Sequence, residues 1–400
     1  MFPREFHIWD LPQDKIFIDV QDTFRKKLIE QAKQKFGRVK NIANFLGVRK
    51  NNIWLWKNGV SEWKGKISRR YVPLDYFLKI CDSVNNRDLS KEMLEKNVIS
   101  FRGKGNGKTI KTIFPWKEDE RIIRILFHII GDGYGSCYGK KNDKGKFTGN
   151  SYYRNTRIEL REEFRNDLSF FGEVPVRLNI DMLCFPKIIP QILKNLYGIE
   201  FDTYNSRVPN ILYNLPKELV AQGIKAYADD EGSFDDCRVK FTSFNRNLLE
   251  GIINLIKVKF PEIKENISEI AECKTILNNK HYIGYRFSIL SKGLNFYYNY
   301  INFAHSKKKK LLENWVIRNN RNWDHKPRNE TKLQILELLS EGPQTIKLLS
   351  EKLDITENTI RGHINGSKNG ILSLSKQDLI FRNDKFIEIT SKGLELLNSR

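Results

Sequence analysis

Two acidic residues, Asp132 and Glu231, each end an apolar stretch and are each followed by glycine. The two stretches read ILFHIIGDG at 125–133 and IKAYADDEG at 224–232, and both have the pattern of an apolar helix. Carboxylate oxygens brought together from two such helices are ligands that Mg²⁺ prefers.

Downstream of each acid, the same features recur in the same order. RIELREEFRNDL (157–168) matches RVKFTSFNRNLL (238–249), and each is predicted to begin in a strand and to lead into a helix. Strand-like runs follow, VRLNIDMLCF in one half and HYIGYRFSILS in the other. Arg207 and Lys307 then occupy matching late positions. A duplicated α-β-β-α-β-β-α unit explains this order, so we expect an α+β fold.

These motifs, together with IKAYADDEGSF and NFAHSKKKKLLENW, resemble the LAGLIDADG homing-endonuclease family in its single-chain, two-motif form. The resemblance covers the middle of the chain, from about residue 115 to 325. It implies a monomer in which two motif helices pack at a pseudo-twofold axis, below a DNA-binding saddle. It also implies site-specific, metal-dependent hydrolysis of double-stranded DNA.

The resemblance places two carboxylates at adjoining helix C-termini, where the helix dipole disfavours negative charge. A divalent cation, Mg²⁺ or Mn²⁺, removes that conflict and can activate water. Basic residues near the cut phosphate are expected to stabilise charge. The expected metal-binding residues are Asp132, Glu231, Gly131 and Asp230, and the expected catalytic residues are Asp132, Glu231, Arg207 and Lys307.

One motif position departs from the family pattern. The third residue is normally small so that the two helices can touch; Ala226 obeys this rule and Phe127 does not. Phe127 over Ala226 is either a large–small compensation or the sign of a wider helix pair. We interpret the neighbouring His128 as an interior histidine rather than a ligand.

The sheet segments are expected to line the saddle, where alternating side chains can face the major groove. The same alternation fits any half-exposed antiparallel sheet. The lysine run at 307–310 is expected to contact phosphates. Within the saddle, the predicted DNA-contacting residues are Arg157, Arg161, Arg238, Lys240, Thr242, Lys308 and Lys309.

The N-terminal region, predicted as domain 1–100, has the pattern of an all-α helix-turn-helix module. QDTFRKKLIEQAKQKF reads as a helix that ends at Gly37, and RVKNIANFLGVRKNNIWLWKNGV reads as two helices around Gly47. A helical hairpin with a solvated basic face is the alternative. The residues expected to contact DNA are Arg49, Lys50, Asn51 and Asn52.

The segment FRGKGNGKTIKT, at the start of the predicted domain 101–325, is interpreted as a linker or a basic hairpin. It lacks the spacing of a phosphate-binding P-loop. The predicted domain 326–400 reads as three helices and a hairpin, which is the winged-helix order. Thr356 is its predicted helix cap, and Thr359 and Arg361 are expected to contact DNA.

The formal net charge of +21 favours a polyanionic partner, although a ribosome-bound or membrane-surface protein can be equally basic. Five cysteines without a CxxC pair indicate neither a disulfide framework nor a zinc ribbon. No apolar run can span a membrane, and MFPREFHIWD is not a signal peptide. We therefore expect a free-standing, cytoplasmic, nucleoid-associated protein without a membrane partner. The abundance of Lys, Ile and Asn favours an AT-rich genome and a prokaryotic or archaeal source.

Two other functions fit the same residues. A transcription regulator can use this fold only to bind DNA, and flanking helix-turn-helix modules favour that reading, whereas the acid pair opposes it. An RNA maturase that assists intron splicing is the third candidate, with RNA as the partner in place of DNA.

Overall fold

The computed structural model describes residues 4–63, 66–104, 107–134, 140–141, 147–148, 151–202, 204–235, 237–277, 280–320, 330–366 and 373–398. The chain divides into two compact units, Met1–Val316 and Ile317–Arg400. The fold is mixed α+β with antiparallel sheets, as predicted.

The N-terminal region contains both helices and strands. Its elements are β1 (Glu5–Phe6), β2 (Ile16–Val20), α1 (Asp22–Phe36), α2 (Val39–Leu46), α3 (Lys50–Asn58), β3 (Val60–Trp63), β4 (Lys66–Arg69), β5 (Val72–Pro73), α4 (Leu74–Val84), α5 (Lys91–Lys96), β6 (Val98–Gly103), β7 (Ile110–Lys111) and β8 (Trp116–Lys117).

The prediction of an all-α N-terminal domain is wrong, because this region contains a four-stranded sheet of order β5-β2-β6-β7. Ile16 and Ile18 alternate inward along β2 and are fully buried, which is the period of a strand. The predicted boundary at 100/101 falls inside β6, and Met1–Val316 form one unit. Of the two interpretations of FRGKGNGKTIKT, the structure has the hairpin, since β6 pairs with β7.

The predicted pair of helices around Gly47 is present as α2 and α3, which contact each other. The turn residue Gly47 has φ 66°, a left-handed conformation that glycine adopts without strain. Ala43 and Ile53 are buried between the helices. Helix α1 ends at Gly37, as predicted.

The middle of the chain contains two successive sets of elements. The first half is α6 (Glu120–Ile130), β9 (Gly133–Tyr134), β10 (Lys140–Lys141), β11 (Phe147–Thr148), β12 (Ser151–Arg154), α7 (Ile158–Asp167), β13 (Arg177–Leu178), β14 (Met182–Phe185) and α8 (Ile188–Tyr197). The second half is α9 (Lys217–Glu231), β15 (Gly232–Asp235), β16 (Arg238–Ser243), α10 (Arg246–Lys259), β17 (Ala271–Leu277), β18 (Lys280–Ile289) and α11 (Leu294–Tyr300), followed by α12 (Ser306–Asn320).

The two halves have the same order of elements, apart from the β10–β11 hairpin inserted in the first. Their four-stranded sheets also have the same strand order, β9-β12-β14-β13 and β15-β16-β18-β17. Each sheet buries alternate residues, such as Tyr153 in the first half and Phe241 in the second. Helices α6 and α9 pack on each other at the centre of one continuous core.

The second unit contains α13 (Glu330–Ser340), β19 (Gln344–Thr345), α14 (Ile346–Leu353), α15 (Glu357–Asn365), β20 (Ile380–Asn383), β21 (Phe386–Ile389) and α16 (Ser391–Asn398). The predicted order of three helices and a hairpin is confirmed, and β19 adds a third strand. Thr356 caps α15 by accepting from the Thr359 main-chain nitrogen at 3.3 Å, as predicted.

The described cysteines, Cys81, Cys184, Cys237 and Cys273, are free thiols. Within the described ranges, every helix is too short or too polar to cross a lipid bilayer.

Candidate active site

After each motif helix the chain passes close to the last turn of that helix, and glycine is required at both places. A Cβ on Gly133 would lie 2.3 Å from the Cα of Ile129, and one on Gly232 would lie 2.4 Å from the carbonyl oxygen of Ala228. Each glycine begins the first strand of its sheet. The preceding acids, Asp132 and Glu231, therefore occupy corresponding places in the two halves.

The bulky Phe127 is accommodated by a glycine on the partner helix that the sequence comparison missed. A Cβ on Gly223 would lie 2.5 Å from two ring carbons of Phe127 and 2.9 Å from a methyl group of Ile123. Phe127 is fully buried. The large–small compensation therefore exists, but the small partner is Gly223, one helical turn before the predicted Ala226.

The two motif acids lie in a partly buried pocket that disfavours their charge. Burial, and then the neighbouring Asp230, raises the pKa of Asp132 to about 7, against a hydrogen bond from Asn155 Nδ2 to Asp132 Oδ2 at 3.0 Å. Burial, and then Asp132 and Asp230, raises the pKa of Glu231 to about 8. Among the described residues, the Glu231 carboxylate has no hydrogen-bond partner. A cation at this site would relieve the conflict.

The side chain of Asp230 turns into the first half rather than toward solvent. Its oxygens accept from His128 Nδ1 (2.8 Å), the Tyr153 hydroxyl (2.6 Å) and Asn155 Nδ2 (3.3 Å). Burial lowers the pKa of His128, but Asp230 opposes it and the net shift is upward. His128 is fully buried, which confirms it as an interior histidine. The Asp230 carboxylate, predicted as a metal ligand, is already engaged by these three donors.

The last turn of α9 is closed by two further interactions. The Asp229 carboxylate accepts from the main-chain nitrogens of Ala304 and His305 at 2.9–3.0 Å. Lys308 Nζ donates to the carbonyl oxygens of Asp229 (2.6 Å) and Ala228 (3.1 Å). An ammonium at a helix C-terminus is favourable. Burial lowers the pKa of Lys308, and the surrounding carboxylates oppose this shift. Lys308 in turn lowers the pKa of both Asp132 and Glu231.

Sequence reasoning placed Lys308 among ordinary phosphate contacts, because a run of four lysines gives no sign of which one turns inward. The predicted catalytic residues Arg207 and Lys307 are both exposed. Each follows a serine that contacts the other half. Ser206 accepts from Asn245 Nδ2 at 2.7 Å, and Ser306 donates to Glu159 at 3.3 Å.

The second-half sheet presents its predicted residues as expected. Val239 and Phe241 point into the core, and Lys240 and Thr242 lie on the opposite face. Thr242 Oγ1 donates to the Glu231 carbonyl oxygen at 3.1 Å, which ties this face to the acid.

Three basic residues, Arg238, Lys240 and Arg286, belong to this sheet. Arg238 is exposed at the start of β16, and Lys240 forms an ion pair with Asp235. Sequence reasoning missed Arg286, which is exposed on β18 directly opposite Thr242. The register of a sheet pairs residues that lie far apart along the chain, so no local pattern indicated it.

The predicted strand at 157–168 is wrong, because Ile158–Asp167 form helix α7. Polar and apolar residues alternate over the first four positions, which is also the pattern of a strand. Leu160 and Phe164, however, are buried four residues apart, as expected for a helix. Arg157 is exposed at the helix start. Arg161 is buried and donates to the carbonyl oxygens of Asn179 (2.8 Å) and Ile180. Arg161 therefore supports the β13–β14 turn and is not available to DNA.

The strand that matches β16 is instead β12. Tyr153 pairs with Gly133 as Phe241 pairs with Gly232. By the same register, Asn155 corresponds to Ser243. The first half thus has an amide that donates to its acid, whereas the corresponding Ser243 hydroxyl accepts from the main-chain nitrogen of Asn245 at 3.1 Å.

The terminal modules expose most of their predicted DNA-contacting residues. Arg49, Lys50 and Asn51 are exposed at the start of α3, and Asn52 is half-buried. In the second unit, Arg361 is exposed and pairs with Glu357 at 3.1 Å. Thr359 is half-buried beside the Thr356 cap, and Lys309 is exposed on α12.

Comparison with known proteins identifies one family segment. Residues 329–365 match the family described as bacterial regulatory protein, arsR family. This segment contains the helices α13, α14 and α15. The family-level likeness therefore supports a helix-turn-helix in the second unit.

Two curated proteins are similar to parts of the chain. The DNA polymerase II large subunit of Thermococcus kodakarensis is 26% identical over 220 residues, covering 50% of this chain and 11% of that protein. A probable translation initiation factor IF-2 of Methanocaldococcus jannaschii is 31% identical over 182 residues, covering 44% of this chain and 14% of that protein. The chain therefore spans only a small fraction of the length of each relative.

Two solved structures are similar to the chain over 46% of its length. One is I-DmoI in complex with DNA and Mn, with a TM-score of 0.30, 13% identity and 96% of that structure covered. The other is a mesophilic variant of the homing endonuclease I-DmoI, with a TM-score of 0.29, 13% identity and 95% covered.

The donor set at the two acids fits a hard divalent cation. Within the described ranges, no group of three or more His, Cys, Asp or Glu side chains is placed to hold a metal ion. Mg²⁺ does not need such a cage, since it commonly binds one or two carboxylates and completes its shell with water and substrate phosphates. Asp132 and Glu231 are the two carboxylates that would bind such a cation.

Proposed function

We propose that this chain is a divalent-metal-dependent endonuclease that cuts double-stranded DNA at specific sites, built on a duplicated LAGLIDADG saddle. The observation that supports it most is the pairing of Asp132 and Glu231. Glu231 ends α9 and Asp132 lies two residues after the end of α6, these two helices pack on each other, and Asp132 raises the pKa of Glu231. A protein that only binds DNA gains nothing from two carboxylates directed at a polyanion.

In this proposal the metal is held by Asp132 and Glu231 and by the main chain of Gly131 and Asp230. Gly131 has no side chain, and the Asp230 carboxylate is occupied. Bound Mg²⁺ or Mn²⁺ supplies Lewis-acid stabilisation of the phosphate and a more acidic water. Asn155 holds the Asp132 carboxylate in one orientation.

Basic residues have the second role. Lys308 keeps a positive charge at the end of α9, and Arg207 and Lys307 stabilise phosphate charge from the segments that cross between the halves. The outward sheet face binds the duplex through a set of polar and basic side chains. This set comprises Arg238, Lys240, Thr242 and Arg286.

The terminal modules extend the DNA site in this proposal. Helices α2 and α3, and the second unit with its winged-helix order of elements, add contacts on the same molecule. Linked modules raise affinity through effective concentration, without new chemistry at the acids.

The test is digestion of a randomised duplex library with Mg²⁺ or Mn²⁺, followed by sequencing of the ends. We expect defined ends from the unaltered chain. Asp132→Asn and Glu231→Gln are each expected to lower cleavage by at least about 10³-fold, because each removes a ligand for the cation, while DNA binding is retained. Glu250→Gln, an exposed acid paired with Arg246, is the matched control. Undiminished cutting by both site variants would contradict the assignment.

A DNA-binding transcription regulator is the second candidate, and the arsR-family match at 329–365 favours it. The same library separates the two functions. Tight, sequence-selective footprints with no new ends under either metal would select the regulator.

A further inference from the structure

We infer that Asp230, a residue of the second motif helix, is the positioning residue for the acid of the first half. Its buried carboxylate holds Asn155, and Asn155 holds Asp132. The inference rests on the proposed endonuclease function and adds that the two acids are supported differently.

The first step is the location of the Asp230 side chain. The carboxylate has no exposed surface, although the neighbouring Glu231 is partly exposed. A buried carboxylate is stable only when donors surround it. All three donors belong to the first half, and two of them, His128 and Tyr153, contact different oxygens at 2.8 and 2.6 Å. The side chain is thereby held in one orientation from both sides.

The second step is the link from Asp230 to the acid. Asn155 Nδ2 lies 3.3 Å from Asp230 Oδ1 and 3.0 Å from Asp132 Oδ2. The amide of Asn155 therefore bridges two carboxylates from different helices. Its own Oδ1 accepts from the main-chain nitrogen of Arg157 at 2.9 Å, which fixes which end of the amide faces the acids.

The third step is that the opposite half cannot form this arrangement. The residue that corresponds to Asp230 is Gly131, and a Cβ there would lie 3.0 Å from the Cβ of Asp230. The counterpart of His128 is Tyr227, whose buried hydroxyl has no carboxylate partner within the described part of the chain. The counterpart of Tyr153 is Phe241, which has no hydroxyl. One carboxylate fills the space between the helices, and it serves the first half alone.

The consequence is that Asp132 is oriented before substrate binds, whereas Glu231 is not. A positioning defect confined to one half slows cleavage of the DNA strand that depends on Asp132 more than cleavage of the other DNA strand. General destabilisation of the fold slows both strands equally, so strand-specific rates separate the two effects.

The experiment measures single-turnover cleavage of each strand of an end-labelled duplex by the full chain. Asp230→Ala and the milder Asn155→Ser, which copies the second-half residue Ser243, are expected to slow the same strand by on the order of 10- to 100-fold. Nicked duplex then accumulates. The control Tyr227→Phe is expected to leave the ratio of the two rates unchanged. Equal slowing of both strands, or slowing of different strands by the two variants, overturns the inference.

Calorimetric titration of the full chain with Mn²⁺ provides a readout that does not need cleavage. Asp230→Ala is expected to weaken Mn²⁺ binding by about 10-fold or more in the unaltered background, and not at all in Asp132→Asn. This dependence of the Asp230→Ala effect on Asp132 is the coupling between the two residues. If the unaltered chain cuts no duplex and the coupling is present, the endonuclease proposal fails and the positioning role stands. If the coupling is absent, the positioning role fails.

Discussion

The two halves of the central region share a fold and differ in how they treat their acids. Both place an acid at the end of a central helix, a required glycine after it and a sheet of the same strand order. In the first half the acid is hydrogen-bonded by Asn155. Among the described residues, the carboxylate of the second-half acid has no such partner, and Lys308 closes the end of its helix. The order of the strands around the acids is thus the same in both halves, whereas the side chains that support the acids differ.

The halves also differ at the far ends of their sheets. Strand β18 has ten residues and β14 has four, so at about 3.3 Å per residue they extend roughly 33 and 13 Å. The first half instead carries the inserted β10–β11 hairpin. The strand pairing next to the acids is therefore the same in both halves, and the halves differ at the ends of their strands. In the proposed saddle, changes at these ends would alter the DNA contacts without disturbing the acids.

The largest effect on this difference between the halves is expected from replacing Lys308, whose counterpart in the first half is not basic. Lys308 corresponds by chain order to Val208, a buried valine. Lys308→Val is expected to lower the single-turnover cleavage rate by about 100-fold, because it removes a fixed positive charge beside the acids. Lys310→Val, an exposed lysine on the same helix, is expected to stay within about threefold. A loss of similar size in both variants would mean that the lysines act only through general attraction to DNA.

The second test concerns the unequal helix interface. Gly223→Ala places a methyl group against the ring of Phe127 and is expected to destabilise the first unit by about 1–3 kcal/mol. Adding Phe127→Leu is expected to restore part of the loss, since the smaller side chain leaves room. Denaturant unfolding measures both, and Lys225→Ala on the same helix is the control. No loss in Gly223→Ala would show that the helices do not depend on this contact.

The smallest expected effect is on how the free energy of unfolding depends on pH. The folded-state pKa of Glu231 is about 8, above its ordinary value of 4.5, so the folded chain binds more protons than the unfolded chain between those values. The free energy of unfolding therefore falls as pH rises through this window in metal-free buffer. Glu231→Gln is expected to flatten this fall and to raise Tm at pH 8 by roughly 2–4 °C.

Asp132→Asn is expected to have a smaller effect on the same curve, because the pKa of Asp132 is raised less far, to about 7. Thermal scans from pH 5 to 8, with and without Mg²⁺, measure both variants. An unchanged pH slope in Glu231→Gln would indicate that its carboxylate is ionised throughout this range.

Several features were predictable because they depend on local pattern. The helix-turn-helix at 39–58 follows from apolar spacing and a turn glycine, and the three helices and hairpin of the second unit follow from period and caps. The error at 157–168 has the same origin. Four alternating residues fit a strand, and only burial of Leu160 and Phe164 on one face shows the helix.

By itself, the sequence determined the positions of the two acids, the glycine after each and the repeated order of elements, since these are properties of neighbouring residues. The tertiary structure alone decided that Gly223 receives Phe127, that Lys308 rather than Lys307 turns inward, and that Asp230 enters the first half. Each of these joins residues from different elements. Packing and hydrogen bonding between elements set such partners, and no periodicity along one chain segment encodes them.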